Sequence, residues 1–95
     1  MHLVGTALAV TGFTSSTGNP KVNQQLSLKR AMEVAVVLEE AGIRRDTVQV
    51  LGRGALDPIA DNATRDGREK NRRVEIQVHV VDPNVETRKH IVPQS

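Results

Sequence analysis

The clearest apolar–polar pattern in the chain lies in RVEIQVHVV, residues 73–81. Every second residue there is branched and apolar, which is the period of a strand with one buried face. A shorter alternation in DTVQVLG, 46–52, and an apolar run in ALAVTGF, 7–13, predict two further strands.

Between the first two strands, apolar residues recur at three- and four-residue steps and predict a helix from Pro20 to Ala41. Pro20 suits the first turn because that position needs no N–H donor, and Gly42 suits the C-terminal cap. The pattern places six residues on the core face of this helix: Val22, Leu26, Val34, Val37, Leu38 and Ala41.

A second, short helix is predicted over 65–72. Thr64 is a suitable N-cap for it, and Asp66 in the first turn is favoured by the helix dipole. Two pairs of side chains have the i,i+4 spacing of helical ion pairs: Asp66 with Lys70, and Glu69 with Arg73.

The predicted order is strand, helix, strand, short helix, strand. This order favours an α/β class, an α+β sandwich in which helices pack on one face of a small mixed sheet. We expect one domain over residues 1–81. The segment 82–95 has no periodicity, and we expect it to be a flexible C-terminal tail.

Composition excludes several functions. The 95 residues include no cysteine, which removes disulfides, thiol catalysis and cysteine-based zinc sites. Phe13 is the single aromatic residue, so stacking on bases or sugar rings is almost excluded. No apolar stretch is long enough to span a bilayer, and we expect membrane association only through parts outside this chain. No motif indicates a cofactor or a metal site.

The net charge of +2 is concentrated in RDGREKNRR, 65–73, which holds five basic and two acidic residues. A basic cluster is one signal of nucleic-acid binding. Here Asp66 and Glu69 interrupt it, and a solvated helix with internal ion pairs explains it better. We therefore expect no nucleic-acid partner.

Catalysis is also disfavoured. The loop TSSTGNP, 14–20, is rich in hydroxyls, but the chain has no G-x-S-x-G and no acid–histidine pair in a triad-like setting. The glycines at 52 and 54 lack the third glycine of a dinucleotide fingerprint. We expect a protein that is not an enzyme.

Arg30 is the more specific candidate. It lies four residues after Leu26 and four before Val34, so it shares their row on the helix. An arginine at that position has two possible roles. Its stem can pack on apolar surface while the head reaches solvent, or its guanidinium can hold a carboxylate in bidentate fashion beside the hydroxyl-rich loop.

The residues from about 9 to 80 resemble the OmpA-like C-terminal domain, which also occurs in peptidoglycan-associated lipoproteins and flagellar stator proteins. The resemblance is carried by G-x-T at 12–14, Gly18, Asn23, the L-S-x-x-R-A run at 26–31, two glycines at 52 and 54, Pro58, Asn62, and G-R followed by N-R-R-V at 67–74.

This resemblance implies non-covalent binding of peptidoglycan in the periplasm, where such a domain anchors an envelope protein to the cell wall through the diaminopimelate of the stem peptide. In the family an aspartate after the G-x-T threonine meets the ammonium group, and the arginine of the L-S-x-x-R-A run meets the carboxylate. Arg30 matches the arginine, whereas Ser15 stands in place of the aspartate. The implied ligand-binding residues are Thr14, Ser15, Ser16, Gly18, Asn23, Arg30, Asp61 and Arg72, while Arg68 and Arg73 are expected to fix the short helix to the sheet.

A second interpretation stays open. From the resemblance we expect these residues to begin after the first strand and helix of the family's domain, and Ser15 replaces the aspartate. The chain could therefore be a degenerate module that acts in protein–protein assembly of an envelope or secretion complex. Independently of this choice, we expect self-association, because a missing first strand and helix would leave an open sheet edge and an uncovered apolar face.

Overall fold

The computed structural model describes residues 6–80 and 88–94. It contains the strands β1 (Thr6–Phe13), β2 (Val48–Gly52), β3 (Arg73–Val80) and β4 (Arg88–Pro93), and the helices α1 (Pro20–Glu40) and α2 (Arg65–Asn71). A 3₁₀ turn, Arg45–Thr47, leads into β2. The α/β fold class is confirmed, and the predicted order of elements is observed with β4 added at its end.

The four strands form one mixed sheet in the order β2-β1-β3-β4. β1 runs parallel to β2 and antiparallel to β3, and β4 runs antiparallel to β3. One end of the sheet therefore collects the loop that leaves β1, the loop that leaves β2, the junction between α2 and β3, and the end of β4. This is the end at which the candidate site lies.

The two ends of α1 follow the predicted capping. Asn19 is the N-cap, and its side-chain oxygen accepts the Lys21 N–H at 2.8 Å. Pro20 is the first helical residue, and Gly42 follows the helix with φ of 105°, a conformation that favours glycine. Thr64 caps α2 as predicted, accepting the Gly67 N–H at 2.9 Å.

The predicted core face of α1 is wrong in part. Leu26, Val34 and Leu38 are half-buried, but Val22, Val37 and Ala41 are exposed. The row that faces the sheet consists of small or polar residues four apart: Asn23, Ser27, Ala31 and Ala35.

The reason is a close approach between α1 and the sheet. A Cβ at Gly12 would overlap the backbone carbonyl of Ser27, and a Cβ at Gly52 would lie 2.5 Å from the backbone nitrogen of Leu28. Large side chains on the sheet-facing row would hold the helix too far away. The hydrophobic period alone misplaces the buried row because it ranks residues by polarity rather than by size.

The core beneath α1 is built from aliphatic residues of three strands, Leu8, Val10, Val48 and Val74, with Ala31 and Ala35 of the helix. α1 packs across β1 and β2 and only lightly on β3. Partly buried residues that pack against this core include Val34, Ile76, Val78 and Val92.

The segment expected to be a flexible tail contains a strand. Residues 88–93 form β4, which pairs with β3 along a register that sets Val92 opposite Val74 and Ile91 opposite Glu75. Residues 82–87 lie outside the described residues. β4 occupies the outer edge of β3. The outer edges of β2 and β4 have no neighbouring strand among the described residues.

Candidate functional site

The hydroxyl-rich loop, residues 14–18, is fixed at both sides. The Thr14 N–H donates to the Gly54 carbonyl at 2.7 Å, which joins the loop after β1 to the loop after β2. On the other side, the Asn23 amide donates to the Thr17 carbonyl at 3.0 Å and to the Ser15 carbonyl at 3.5 Å. A loop bound in this way is held in one conformation against the first turn of α1.

Two hydroxyl side chains of this loop face inward. Thr14 and Ser15 are each only 5% exposed, whereas Ser16 and Gly18 lie on the surface. The Thr14 hydroxyl is buried and has no hydrogen-bond partner among the described residues. A buried hydroxyl without a partner is costly, so this position would gain from a bound group that donates or accepts there.

Arg30 lies on the row of α1 that its spacing from Leu26 and Val34 predicts. Like Leu26 and Val34 it is half-buried, and its Nη1 atom is shielded from solvent. It lies seven residues after Asn23, which is two helical turns or about 10 Å along the axis on the same side of the helix. Side chains on a helix lean toward its N-terminus, which is the end of α1 that carries the loop.

A second loop closes the site on the side of α2. The Asn62 side-chain oxygen accepts the Ser16 N–H at 3.3 Å and the Asn71 amide at 2.8 Å. Asn71 is fully buried, and its own oxygen accepts the N–H groups of Ile59 and Ala60. Asn62 and Asn71 thus tie the loop over 59–62 to the 14–18 loop.

These two asparagines were not among the predicted site residues. Each belongs to a motif that carries the family resemblance, but a single sequence does not show which groups the side chain of an asparagine will hydrogen-bond to. An asparagine at the end of a short polar helix indicates such a supporting role where it is buried, because a buried amide needs several hydrogen-bond partners.

Asp61 lies beside Asn62 in the second loop and is exposed. One carboxylate oxygen accepts the Ala63 N–H at 2.8 Å, and its backbone carbonyl accepts the Thr64 hydroxyl at 3.2 Å. The structure thus brings Asp61 into the loop that contacts Ser16. Its carboxylate has a local structural role there.

Arg72 is placed differently. It caps the C-terminus of α2, its carbonyl accepts the Gln94 N–H at 2.9 Å, and its side chain lines a cleft with Glu69, Pro93 and Gln94. In the described part of the chain, no hydrogen bond or ion pair joins the Arg72 side chain to the 14–18 loop. The structure does not bring Arg72 together with the other predicted site residues.

Arg73 has the structural role that was expected. It is 2% exposed, and its guanidinium donates to Glu75 at 2.7 Å, to the Asn71 carbonyl at 3.2 Å and to the Asp57 carbonyl at 2.8 Å. Its central carbon lies 3.9 Å from the centroid of the Phe13 ring. These contacts join β3, α2 and the end of β1.

Arg68 holds the second loop by donating to the Asn62 carbonyl at 3.0 Å.

The i,i+4 ion pairs predicted within α2 are wrong. Glu69 lies 3.6 Å from Arg65 instead of pairing with Arg73, and Arg73 pairs with Glu75 on its own strand. The Arg73 guanidinium is already occupied by Glu75 and by the carbonyls of Asn71 and Asp57, which leaves it unavailable to Glu69.

The chemistry of this arrangement is that of a binding site. Its elements are one arginine, two buried hydroxyls, backbone groups of a fixed loop and a nearby exposed carboxylate. Among residues 6–80 and 88–94, no group of His, Asp or Glu side chains could hold a metal ion. Neither helix in the described part of the chain is long and apolar enough to cross a membrane.

Comparisons with known proteins show which family has this architecture. A model of the OmpA family matches residues 2–72. The peptidoglycan-binding protein ArfA of Mycobacterium tuberculosis is 44% identical over 72 residues, which cover 76% of this chain and 22% of ArfA. The outer-membrane lipoprotein YfiB of Pseudomonas aeruginosa is 48% identical over 67 residues, which cover 70% of this chain and 40% of YfiB.

The fold has a solved counterpart in the C-terminal domain of Helicobacter pylori MotB, at 34% identity and a TM-score of 0.75. That alignment covers 83% of this chain and 60% of the MotB chain. The chain spans less than half the length of the two curated relatives it is similar to. On the match to the family model and the four-stranded mixed sheet with its two helices, the chain belongs to the OmpA family.

Proposed function

We propose that this domain binds peptidoglycan non-covalently and anchors an envelope protein to the cell wall. The observation that carries the proposal is the position of Arg30, half-buried and two turns beyond the asparagine that fixes a loop of buried hydroxyls. Similarity to a peptidoglycan-binding protein and to an outer-membrane lipoprotein supports the same class of function. The role is binding rather than catalysis, and its location is the periplasm.

The proposed ligand is the diaminopimelate of the stem peptide. Arg30 would hold its carboxylate, because a planar guanidinium matches a carboxylate with two parallel hydrogen bonds. Thr14, Ser15, Ser16, Gly18 and Asn23 would form the surrounding loop and its support.

Two predicted residues have secondary places in this proposal. Asp61 would meet an ammonium group, because it adjoins Asn62, which contacts the loop, although one of the Asp61 oxygens already accepts the Ala63 N–H. Arg72 would contact a longer ligand that extends toward the cleft beside β4.

The test is sedimentation of the protein with purified peptidoglycan sacculi. Arg30→Ala should lose most of the bound fraction. Arg44→Ala is a matched control, because Arg44 is an exposed arginine paired with Asp46 outside the site. Retention of Arg30→Ala at the level of the unchanged protein would refute the proposed site.

The alternative function is protein–protein assembly by a module that has lost this ligand. The observation that favours it is Ser15, a neutral residue at the position where the family resemblance expects the aspartate. Self-association through an open sheet edge would then use the outer edges of β2 or β4. Failure of the unchanged protein to sediment with sacculi, with recovery by Ser15→Asp, would support this alternative.

A further inference from the structure

The outer side of α1 carries a ridge of three large apolar side chains. Leu28, Met32 and Val36 follow one another at four-residue steps and are 39%, 50% and 49% exposed. Each comes directly after a buried residue of the sheet-facing row, so the ridge is turned by about 100° from the sheet. Contiguous apolar surface of this kind marks an interaction surface more often than single exposed residues do.

The two ends of this ridge carry opposite charges. Lys21 and Glu39 are 18 residues apart, which is five helical turns, so both lie in line with the ridge and about 27 Å from each other. Both are exposed, and neither side chain forms an ion pair within residues 6–80 and 88–94.

Each of these charges has the wrong sign for its end of the helix. The first turn of α1 contains no acidic residue and the last turn no basic one. A lysine near the N-terminus and a glutamate near the C-terminus both oppose the helix dipole. An antiparallel helix on the ridge would place an end of opposite dipole, and a charge of opposite sign, beside each.

We propose that the ridge binds a second copy of this chain, with the two α1 helices antiparallel about a two-fold axis. One register satisfies both the charges and the apolar residues. It places Lys21 against the partner's Glu39 at each end, and Leu28 against the partner's Met32 at the centre. The interface is isologous, as expected for a dimer.

This surface is separate from the candidate site and does not depend on peptidoglycan binding. A 21-residue helix is about 30 Å long, so the contact is at the small end of protein interfaces, and the dimer is weak. Concentration-dependent association is therefore the expected behaviour of the purified protein.

Sedimentation velocity over a wide concentration range tests the proposal. Lys21→Glu should raise the dissociation constant several-fold, because it sets two carboxylates together at both ends of the interface. The double variant Lys21→Glu/Glu39→Lys should restore association. Met32→Asp should abolish it, since it places a charge in the apolar centre.

The charge variants also separate an interface from an effect on the fold. In dilute solution, where the monomer prevails, Lys21→Glu should leave Tm unchanged or raise it, because it corrects the sign of the charge at the helix end. Glu40→Lys is the control for the charge change at Glu39 in the double variant. It makes the same change of charge in the same turn, but residue 40 lies about 100° around the helix from residue 39, so Glu40→Lys should not affect association.

A cross-link tests the register. The chain has no cysteine, so Leu28→Cys and Met32→Cys proteins can be mixed and oxidised. The mixture should form the mixed disulfide dimer in preference to either homodimer, and Val37→Cys, which is 62% exposed on another side of the helix, should react little.

Three results would overturn the proposal. The first is a monomer at every concentration. The second is association that Lys21→Glu leaves unchanged. The third is a mixed disulfide no more abundant than the homodimers.

Discussion

The amide of Asn71 donates to the side-chain oxygen of Asn62 at 2.8 Å, and the same oxygen accepts the Ser16 N–H at 3.3 Å. This pair connects the end of α2 to the hydroxyl-rich loop through a single atom. Asn71 also donates to the Ala60 carbonyl at 2.9 Å and accepts two N–H groups from the same segment. All four hydrogen-bonding positions of its side chain are used, which makes Asn71 the support of one wall of the candidate site.

Asn71→Asp should therefore destabilise the fold. The substitution keeps the shape and the accepting oxygen but replaces the donor, so the Ala60 carbonyl and Asn62 each face a second oxygen in a fully buried place. A buried polar group left unsatisfied costs about 1–3 kcal/mol, and we expect a loss of about 2–4 kcal/mol for the two. Urea unfolding measures it. Gln49→Glu, the same chemical change on an exposed strand residue, should cost little, and equal losses in both variants would refute this role of Asn71.

Asn62→Ala should act on the site more than on the fold. It removes the acceptor of the Ser16 N–H, which is one of the supports of the 14–18 loop, while Asn71 keeps its bonds to the 59–60 backbone. We expect weaker sedimentation with sacculi and faster hydrogen exchange at the Ser16 amide. Asn62 would be a positioning residue, which orients the loop and does not itself contact the ligand. Unchanged exchange at Ser16 would contradict this.

Gly12→Ala should be among the most destabilising single substitutions in the chain. The added Cβ would overlap the backbone carbonyl of Ser27, which a side-chain rotation cannot move away. Overpacking a tight core costs about 1–3 kcal/mol, and backbone overlap lies at the upper end or beyond. Gly18→Ala is the comparison, since Gly18 has φ of 88° and open space around it, so it reports backbone strain alone. A larger loss for Gly18→Ala than for Gly12→Ala would show that the close approach of α1 is wrong.

Much of the framework follows from the sequence. The alternation in β3, the proline and glycine that bound α1, and the threonine cap of α2 each depend on local chemistry, and each was predicted correctly. The buried row of α1 was not, because it depends on the distance between helix and sheet. That distance is set by Gly12 and Gly52, which are far away in the chain from the residues they constrain.

The candidate site, like the framework, could be predicted from the sequence only in part. Arg30 could be placed on its row from two apolar neighbours, and the loop could be recognised from its composition. The contact between Ser16 and Asn62 joins residues 46 positions apart, and no local pattern encodes it. β4 was missed for a related reason: its six residues have little alternation of their own, and β3 supplies the partners that order them.

The role of β4 can be tested at Val92. This half-buried residue lies opposite Val74 and packs against the core, so Val92→Asp should destabilise the domain. We expect a loss of about 1–3 kcal/mol from an unpaired charge in a partly buried apolar place. His90→Asp lies on the same strand at an exposed position and is the matched control. If both variants unfold at the same urea concentration as the unchanged protein, residues 88–93 do not belong to the folded sheet.

Ser15→Asp should make ligand binding tighter and the free protein less stable. Ser15 is 5% exposed, so a carboxylate there loses most of its hydration when the site is empty. A bound ammonium group would compensate it, and the gain of a charged over a neutral hydrogen bond is about 1–2 kcal/mol, or roughly tenfold in affinity. Tm measured with and without a soluble diaminopimelate stem peptide should therefore show a lower starting value and a larger upward shift than in the unchanged protein. Ser16→Asp, one residue along and exposed, should change neither value appreciably. A Ser15→Asp protein that is destabilised and gains no additional shift from the peptide would mean that the group bound near Ser15 is not an ammonium.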